Sequence, residues 1–168
     1  MSLPLAPRQL LLAIAGLSIG AVGAALVSQH VFDMQPCPWC VLQRLIFVLI
    51  GAAALVGAAA WGSSVGRFMS SGLLLALGAS GIAAALWHYF VATSSASCNL
   101  TLADRIISAL QLDALLPLVF QATANCADAS VKLFGVAYPL WSLALFAVIE
   151  AAVVGLWIGD RRGGAARA

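Results

Sequence analysis

The sequence predicts an all-α membrane protein, a four-transmembrane-helix bundle with two loops on its outer side. Three observations carry that prediction. The chain has 168 residues, of which 63% are hydrophobic and only 8% charged, with mean hydropathy +1.04. A soluble fold of this size cannot hide so much apolar surface from water. Four apolar runs of spanning length follow one another, at approximately 10–28, 45–61, 68–90 and 139–158. Finally, small residues crowd the spans, as in Gly51-Ala52-Ala53-Ala54 and Gly57-Ala58-Ala59-Ala60. They let helix backbones approach closely in lipid, where no hydrophobic force drives helices together. The expectation is a single integral membrane domain, 1–168, with loops at approximately 29–44 and 91–138.

The first run competes with a signal-peptide reading, since Arg8 precedes it and Ala24 and Ala25 lie near its end. Its apolar stretch is longer than a signal core and three further spans follow, so it is read as a retained helix. With four crossings, Arg8, Arg67, Arg161, Arg162 and Arg167 share one side, and Arg44, Arg105 and Lys132 the other. That asymmetry places both termini in the cytoplasm. The eight Lys and Arg residues stand singly or in pairs, and the net charge is only +2. No basic stripe exists for nucleic acid, and that class of partner is excluded.

The longer loop carries its own local signals. Thr101-Leu102-Ala103-Asp104 has the form of a capping box, and Ile106, Ile107 and Leu110 fall at helical spacing. A short amphipathic helix lying on the membrane is expected, followed by a second apolar patch from Leu115 to Phe120. The alternative is that these residues form the loop's own small core.

All four cysteines fall on the side opposite the arginine-rich one: Cys37 and Cys40 in the first outer loop, Cys98 and Cys126 in the second. With cytoplasmic termini, every thiol faces an oxidising compartment. Four cysteines allow three pairings. Cys37 and Cys40 can close on each other, because residues three apart at a helix start sit about 5–6 Å apart. In that case Cys98 and Cys126 remain for each other, closing a loop whose bridge contributes about 3–4 kcal/mol in the chain-entropy account. That second pair reads most simply as a brace. The first constrains too little chain to brace anything.

The position of the first pair suggests chemistry instead. Cys37 and Cys40 stand where the second span begins, and Pro38 suits a first helical turn. Free amide N–H groups and the helix dipole there favour a thiolate. Arg44 follows Cys40 by four residues, so its guanidinium lies on the same helix face at the membrane boundary. An isolated arginine at that depth commonly snorkels to the interface. Beside a CxxC it also stabilises a thiolate and holds an anionic oxygen.

A family resemblance rests on Pro36-Cys37-Pro38-Trp39-Cys40 with Gln43-Arg44, then Cys98, Asn125-Cys126-Ala127, Phe134-Gly135 and Pro139-Leu140-Trp141-Ser142-Leu143. In these motifs and their order the whole chain resembles bacterial DsbB, the membrane protein that reoxidises the periplasmic dithiol oxidase DsbA. It departs at Asn125, where an acidic residue often stands, and at Val131, where tryptophan is common.

The resemblance implies a bacterial inner-membrane protein with periplasmic cysteines that passes electrons from a DsbA-like thiol oxidase to a quinone, ubiquinone or menaquinone. It implies that Cys98 is attacked by the partner's cysteine, that Cys126 is freed and engages Cys37, and that Cys40 is left as a thiolate facing the quinone. Arg44 would polarise the quinone and steady that thiolate. His88 would lie near the quinone, although beside Trp87 and Tyr89 it reads first as part of an aromatic interface belt.

Other classes fit less well. A resident four-thiolate metal site is disfavoured because Cys98 and Cys126 are far apart in sequence, so no metal ligands are assigned. A tetraspanin-like organiser would not place a CxxC at a helix mouth. A vitamin K epoxide reductase-like enzyme has its membrane CxxC after the loop pair, the reverse of the order here. His30 reads as an interfacial end to the first span, and Asn99-Leu100-Thr101 is a glycosylation sequon without an assigned role. Glu150, near the centre of the fourth span, reads either as a functional carboxyl, the default at that depth, or as a neutral carboxyl bonded across helices, and the second is slightly preferred.

Overall fold

A computed structural model describes residues 6–92, 101–125, 132–133 and 135–165. Cys98, Cys126, Val131 and the 99–101 sequon's first two residues lie outside the described residues. Four long helices, α1 (Pro7–Val31), α2 (Pro38–Ala60), α3 (Ser64–Phe90) and α7 (Tyr138–Ala165), account for most of the chain. All four are long and apolar enough to cross a membrane. The protein is an all-α four-helix membrane protein. Three short helices, α4 (Leu102–Ala109), α5 (Leu112–Leu115) and α6 (Pro117–Phe120), lie between α3 and α7.

Each long helix starts where the chain supplies a start signal. Pro7 and Pro38 occupy the first turns of α1 and α2, where a missing N–H costs nothing. Ser63 caps α3 by accepting the Gly66 N–H at 2.9 Å. α2 begins seven residues before the apolar run marked in the sequence, so Cys40, Gln43 and Arg44 sit inside the helix rather than in the loop before it. The polar side chains Gln43 and Arg44 mask that start in a hydropathy profile. Both are buried in the bundle.

α2 is the central helix. It packs against α1 on one side and α3 on the other, α3 packs against α7, and α1 and α7 meet only briefly. Glycine permits the closest approaches. Gly81 of α3 lies against the ring of Phe146 on α7, and that ring stacks on Phe47 of α2 with centroids 4.0 Å apart and planes 6° from parallel. A three-helix core of Phe47, Ile50, Leu74, Phe146 and Ile149 forms around the stack.

The capping box read from the sequence is present at α4. Thr101 N–H and its hydroxyl both donate to the Asp104 carboxylate at 2.8 Å, and Asp104 N–H donates back to Thr101 Oγ1 at 3.3 Å. α4 buries Ala103 and Ile107 against the N-terminal part of α2 and exposes Leu102 and Leu110. Phe120 is also buried, while Leu115, Leu116 and Leu118 remain exposed. The two readings of this segment are thus divided between its faces: one face joins the core, the other is an open apolar surface. A two-residue antiparallel ladder, β1 (Lys132–Leu133) with β2 (Val136–Ala137), precedes α7. Gly135, at φ +81°, makes its turn. Trp141 of α7 donates from Nε1 to the Leu133 carbonyl at 3.3 Å.

Candidate active site

The first turn of α2 builds the site. Cys37 is its N-cap, with extended backbone at φ −85° and ψ 166°, and its Sγ accepts the Cys40 N–H at 3.4 Å. An N-cap sulfur takes the place that an oxygen usually fills, so the orphan N–H groups of the helix start face it. Cys37 is fully buried and Cys40 partly exposed. Their sulfurs lie 2.9 Å apart.

α3 supplies the next group. His88 is 1% exposed, and its Nε2 stands 3.3 Å from Cys37 Sγ. Gln43, one helical turn into α2 from Cys40, places its amide nitrogen 3.2 Å from His88 Nδ1. In the tautomer with the ring proton on Nε2, Gln43 donates to Nδ1 and Nε2–H donates to Cys37; with the amide turned over, both roles reverse. The aromatic-belt reading of His88 accounts for Trp87, which is exposed, but not for His88 itself, which turns inward.

A second group of side chains gathers on the Cys40 face of α2. Arg44 is 5% exposed; its NH1 donates to Gln29 Oε1 of α1 at 3.0 Å and to the Val119 carbonyl. Its Nε is buried without a hydrogen-bond partner among the described residues. Tyr138, the first residue of α7, lies within electrostatic reach of both Cys40 and Arg44, with Ser28 beside its hydroxyl. This group lies beside the place where α1 and α7 hardly touch.

The second loop is tied to the same place. The N–H groups of Thr123 and Ala124 both donate to the Pro36 carbonyl, at 3.0 and 3.2 Å, and Thr123 Oγ1 donates to Gln35. His30 Nε2 lies 3.2 Å from the Leu118 carbonyl. Segment 118–124 is therefore fastened to the end of α1, to Arg44 and to the residue before Cys37.

The profile of the family described as disulfide bond formation protein DsbB matches residues 7–157. The chain belongs to the DsbB family. It is 37% identical over 148 residues to Disulfide bond formation protein B of Ralstonia nicotianae, covering 88% of this chain and 91% of that one. It is 38% identical over 148 residues to Disulfide bond formation protein B 1 of Pseudomonas aeruginosa, covering 86% and 91%. Disulfide bond formation protein B of Burkholderia pseudomallei is 31% identical over 147 residues.

In this DsbB-family chain the structure brings together four of the residues singled out in the sequence: Cys37, Cys40, Arg44 and His88. Cys98 and Cys126 are outside the described residues. Gln43, Gln29 and Tyr138 join the site although the sequence reading gave none of them a role of its own. Gln43 and Gln29 carried a usable signal, as uncharged polar residues at the outer ends of apolar helices. Tyr138 carried none. Glu150 lies away from the thiols, one turn beyond Phe146, with its carboxyl against Gly78. The expected cross-helix hydrogen bond is absent for Oε2 among the described residues. A cleft of about 1300 Å³ runs between α2, α3 and α4 past Trp39, Leu42, Ile46 and Trp87. It uses the face of α2 turned away from Arg44, and neither Cys37 nor Cys40 lines it.

Proposed function

We propose that this chain oxidises the dithiol of a periplasmic DsbA-like, thioredoxin-fold oxidase and delivers the electrons through its two cysteine pairs to a membrane quinone. The observation that carries the reading is the buried Arg44 Nε, a cationic donor without a hydrogen-bond partner among the described residues, one turn from Cys40. A donor buried unsatisfied costs about 1–3 kcal/mol or more, so a ligand oxygen fits there. Arg44 and Tyr138 would hold a quinone oxygen beside Cys40.

The thiol steps follow from exchange chemistry. The partner's thiolate attacks Cys98, and Cys126 leaves as a thiolate. Cys126 attacks Cys37, and Cys40 leaves as a thiolate on the Arg44 face. With the ring proton on Nε2, the Gln43–His88 pair stabilises negative charge on Cys37 whenever that sulfur is the leaving group. The partner's second thiolate resolves the mixed disulfide, releasing Cys98, which displaces Cys37 and restores the loop pair. The balance is one partner disulfide formed and Cys37 and Cys40 both reduced. A bound quinone supplies the sink for two electrons and two protons. A bacterial inner membrane, cytoplasmic termini and periplasmic cysteines are the arrangement this function requires.

The test is quinone-dependent oxidation of a reduced thioredoxin-fold dithiol protein by the purified chain, with Arg44 variants alongside. Arg44→Met is expected to exchange disulfides with the partner normally but to need at least tenfold more quinone for half-maximal turnover. Arg44→Lys, which keeps the charge without the planar fork, should fall between. Dithiol oxidation that ignores added ubiquinone and menaquinone would refute the electron sink. Unchanged quinone dependence in correctly inserted Arg44→Met would leave Arg44 an interfacial anchor.

A further inference from the structure

Cys37, Cys40 and His88 make a ligand set as well as a relay. Their two sulfurs and Nε2 all lie within 4.8 Å of one another, two of the three side chains are buried, and Cys40 opens outward. Two thiolates, one imidazole and one open position form a tetrahedral set that Zn²⁺ and similar borderline or soft cations prefer. We propose that in its dithiol state this turn binds one such cation, and that the bound ion holds the pair reduced and out of turnover.

The geometry needs little adjustment. At about 2.3 Å per metal–sulfur bond, two thiolates on a tetrahedral ion stand about 3.8 Å apart. The sulfurs are 2.9 Å apart, so their spacing needs a shift of about 1 Å. His88 Nε2 already faces Cys37, and its other nitrogen faces the Gln43 amide. Turned over, that amide offers its oxygen to an Nδ1–H, the outer contact that ligating histidines commonly make. Charge also balances, since two thiolates neutralise a divalent ion in a site with little water. Binding releases the two thiol protons and moves no electron.

The site is gated by redox state. A disulfide holds its sulfurs about 2.0 Å apart and has no thiolate to give, so the oxidised pair offers the ion only His88. The inference concerns these three side chains alone and stands whether or not the electron sink is a quinone.

Co²⁺ reports tetrahedral thiolate ligation by intense visible bands, and the full-length Cys98→Ser/Cys126→Ser chain removes competing loop thiols. After reduction, Co²⁺ should bind at one equivalent with those bands, and Zn²⁺ should displace it. The bands should vanish in the oxidised chain and on adding Cys37→Ser or Cys40→Ser. His88→Ala should weaken binding at least tenfold. The unmutated chain gives a readout that no folding defect can imitate. One equivalent of Zn²⁺ should slow alkylation of Cys37 and Cys40 at least tenfold and leave Cys98 and Cys126 unprotected. Absence of tetrahedral bands, bands that persist in the disulfide form or are indifferent to His88→Ala, or protection of the loop pair instead would overturn the proposal.

Discussion

The Gln43 amide, 3.2 Å from Nδ1, controls which tautomer of His88 meets Cys37: when it donates to Nδ1 the proton sits on Nε2, 3.3 Å from the sulfur, and when it is turned over the roles reverse. Gln43→Leu removes that control and leaves a buried ring nitrogen unpaired. A hydrogen bond of this kind contributes about 0.5–1.5 kcal/mol, so disulfide exchange at Cys37 should slow about 3- to 10-fold. Formation of the mixed disulfide through Cys98 should be unchanged. Stopped-flow comparison of the two steps checks this, and equal slowing of both would point to a folding defect. The Cys37, Cys40 and Arg44 relation was legible in the sequence because it lies within two turns of one helix, where spacing fixes direction. The His88 and Gln43 relation was not. It depends on which faces of α2 and α3 meet, and that is a property of packing that no local spacing encodes.

At the scale of elements, α3 and α7 approach closely at two glycines, Gly78 and Gly81. A methyl added at Gly81 meets the Phe146 ring, which is clamped from the other side by Phe47. At Gly78 it meets the end of the Glu150 side chain, which can swing aside. Overpacking a core typically costs about 1–3 kcal/mol, and only the clamped ring has nowhere to go. Gly81→Ala should therefore lower the thermal midpoint of the purified protein well below that of Gly78→Ala. The reverse order in a thermal-shift assay would show that Glu150 is the more rigid neighbour. The four spans and the capped α4 could be read from apolar length and from Thr101–Asp104. The start of α2 at Pro38 could be read from the proline and from the Cys40–Arg44 spacing, although Gln43 and Arg44 moved the edge of the apolar run to 45. The β1–β2 ladder was hidden because two residues per strand carry no periodicity.

At the scale of the whole molecule, charge and loop anchoring set where the thiols can meet. Arg67 pairs with Asp160 at 2.9 Å and Arg161 lies 3.7 Å over the Trp157 ring, at the end of the bundle opposite Cys37. Exposed pairs of this kind add little stability, but they mark the end expected in the cytoplasm. Membrane-impermeant thiol labelling of intact cells after reduction should reach Cys37 or Cys40 and also Cys98 or Cys126. Labelling confined to one loop would overturn the shared outer side.

Sharing a side is not sufficient for exchange, because the second loop must also bring Cys126 to Cys37. Thr123 and Ala124 donate to the carbonyl of Pro36, the residue before Cys37, and Cys126 follows Ala124 by two residues. If that tether is enough for exchange, Cys37 and Cys126 should join without a partner protein. In Cys40→Ser/Cys98→Ser only Cys37 and Cys126 remain, and mild oxidation should join them within one chain. Adding Thr123→Pro removes one donated N–H and the hydroxyl bonded to Gln35, and should slow that joining several-fold. Peptide mapping under non-reducing conditions identifies the bond. Disulfides found only between separate chains, or formed at the same rate without the Thr123 donor, would mean that the tether does not deliver Cys126 and that partner docking must.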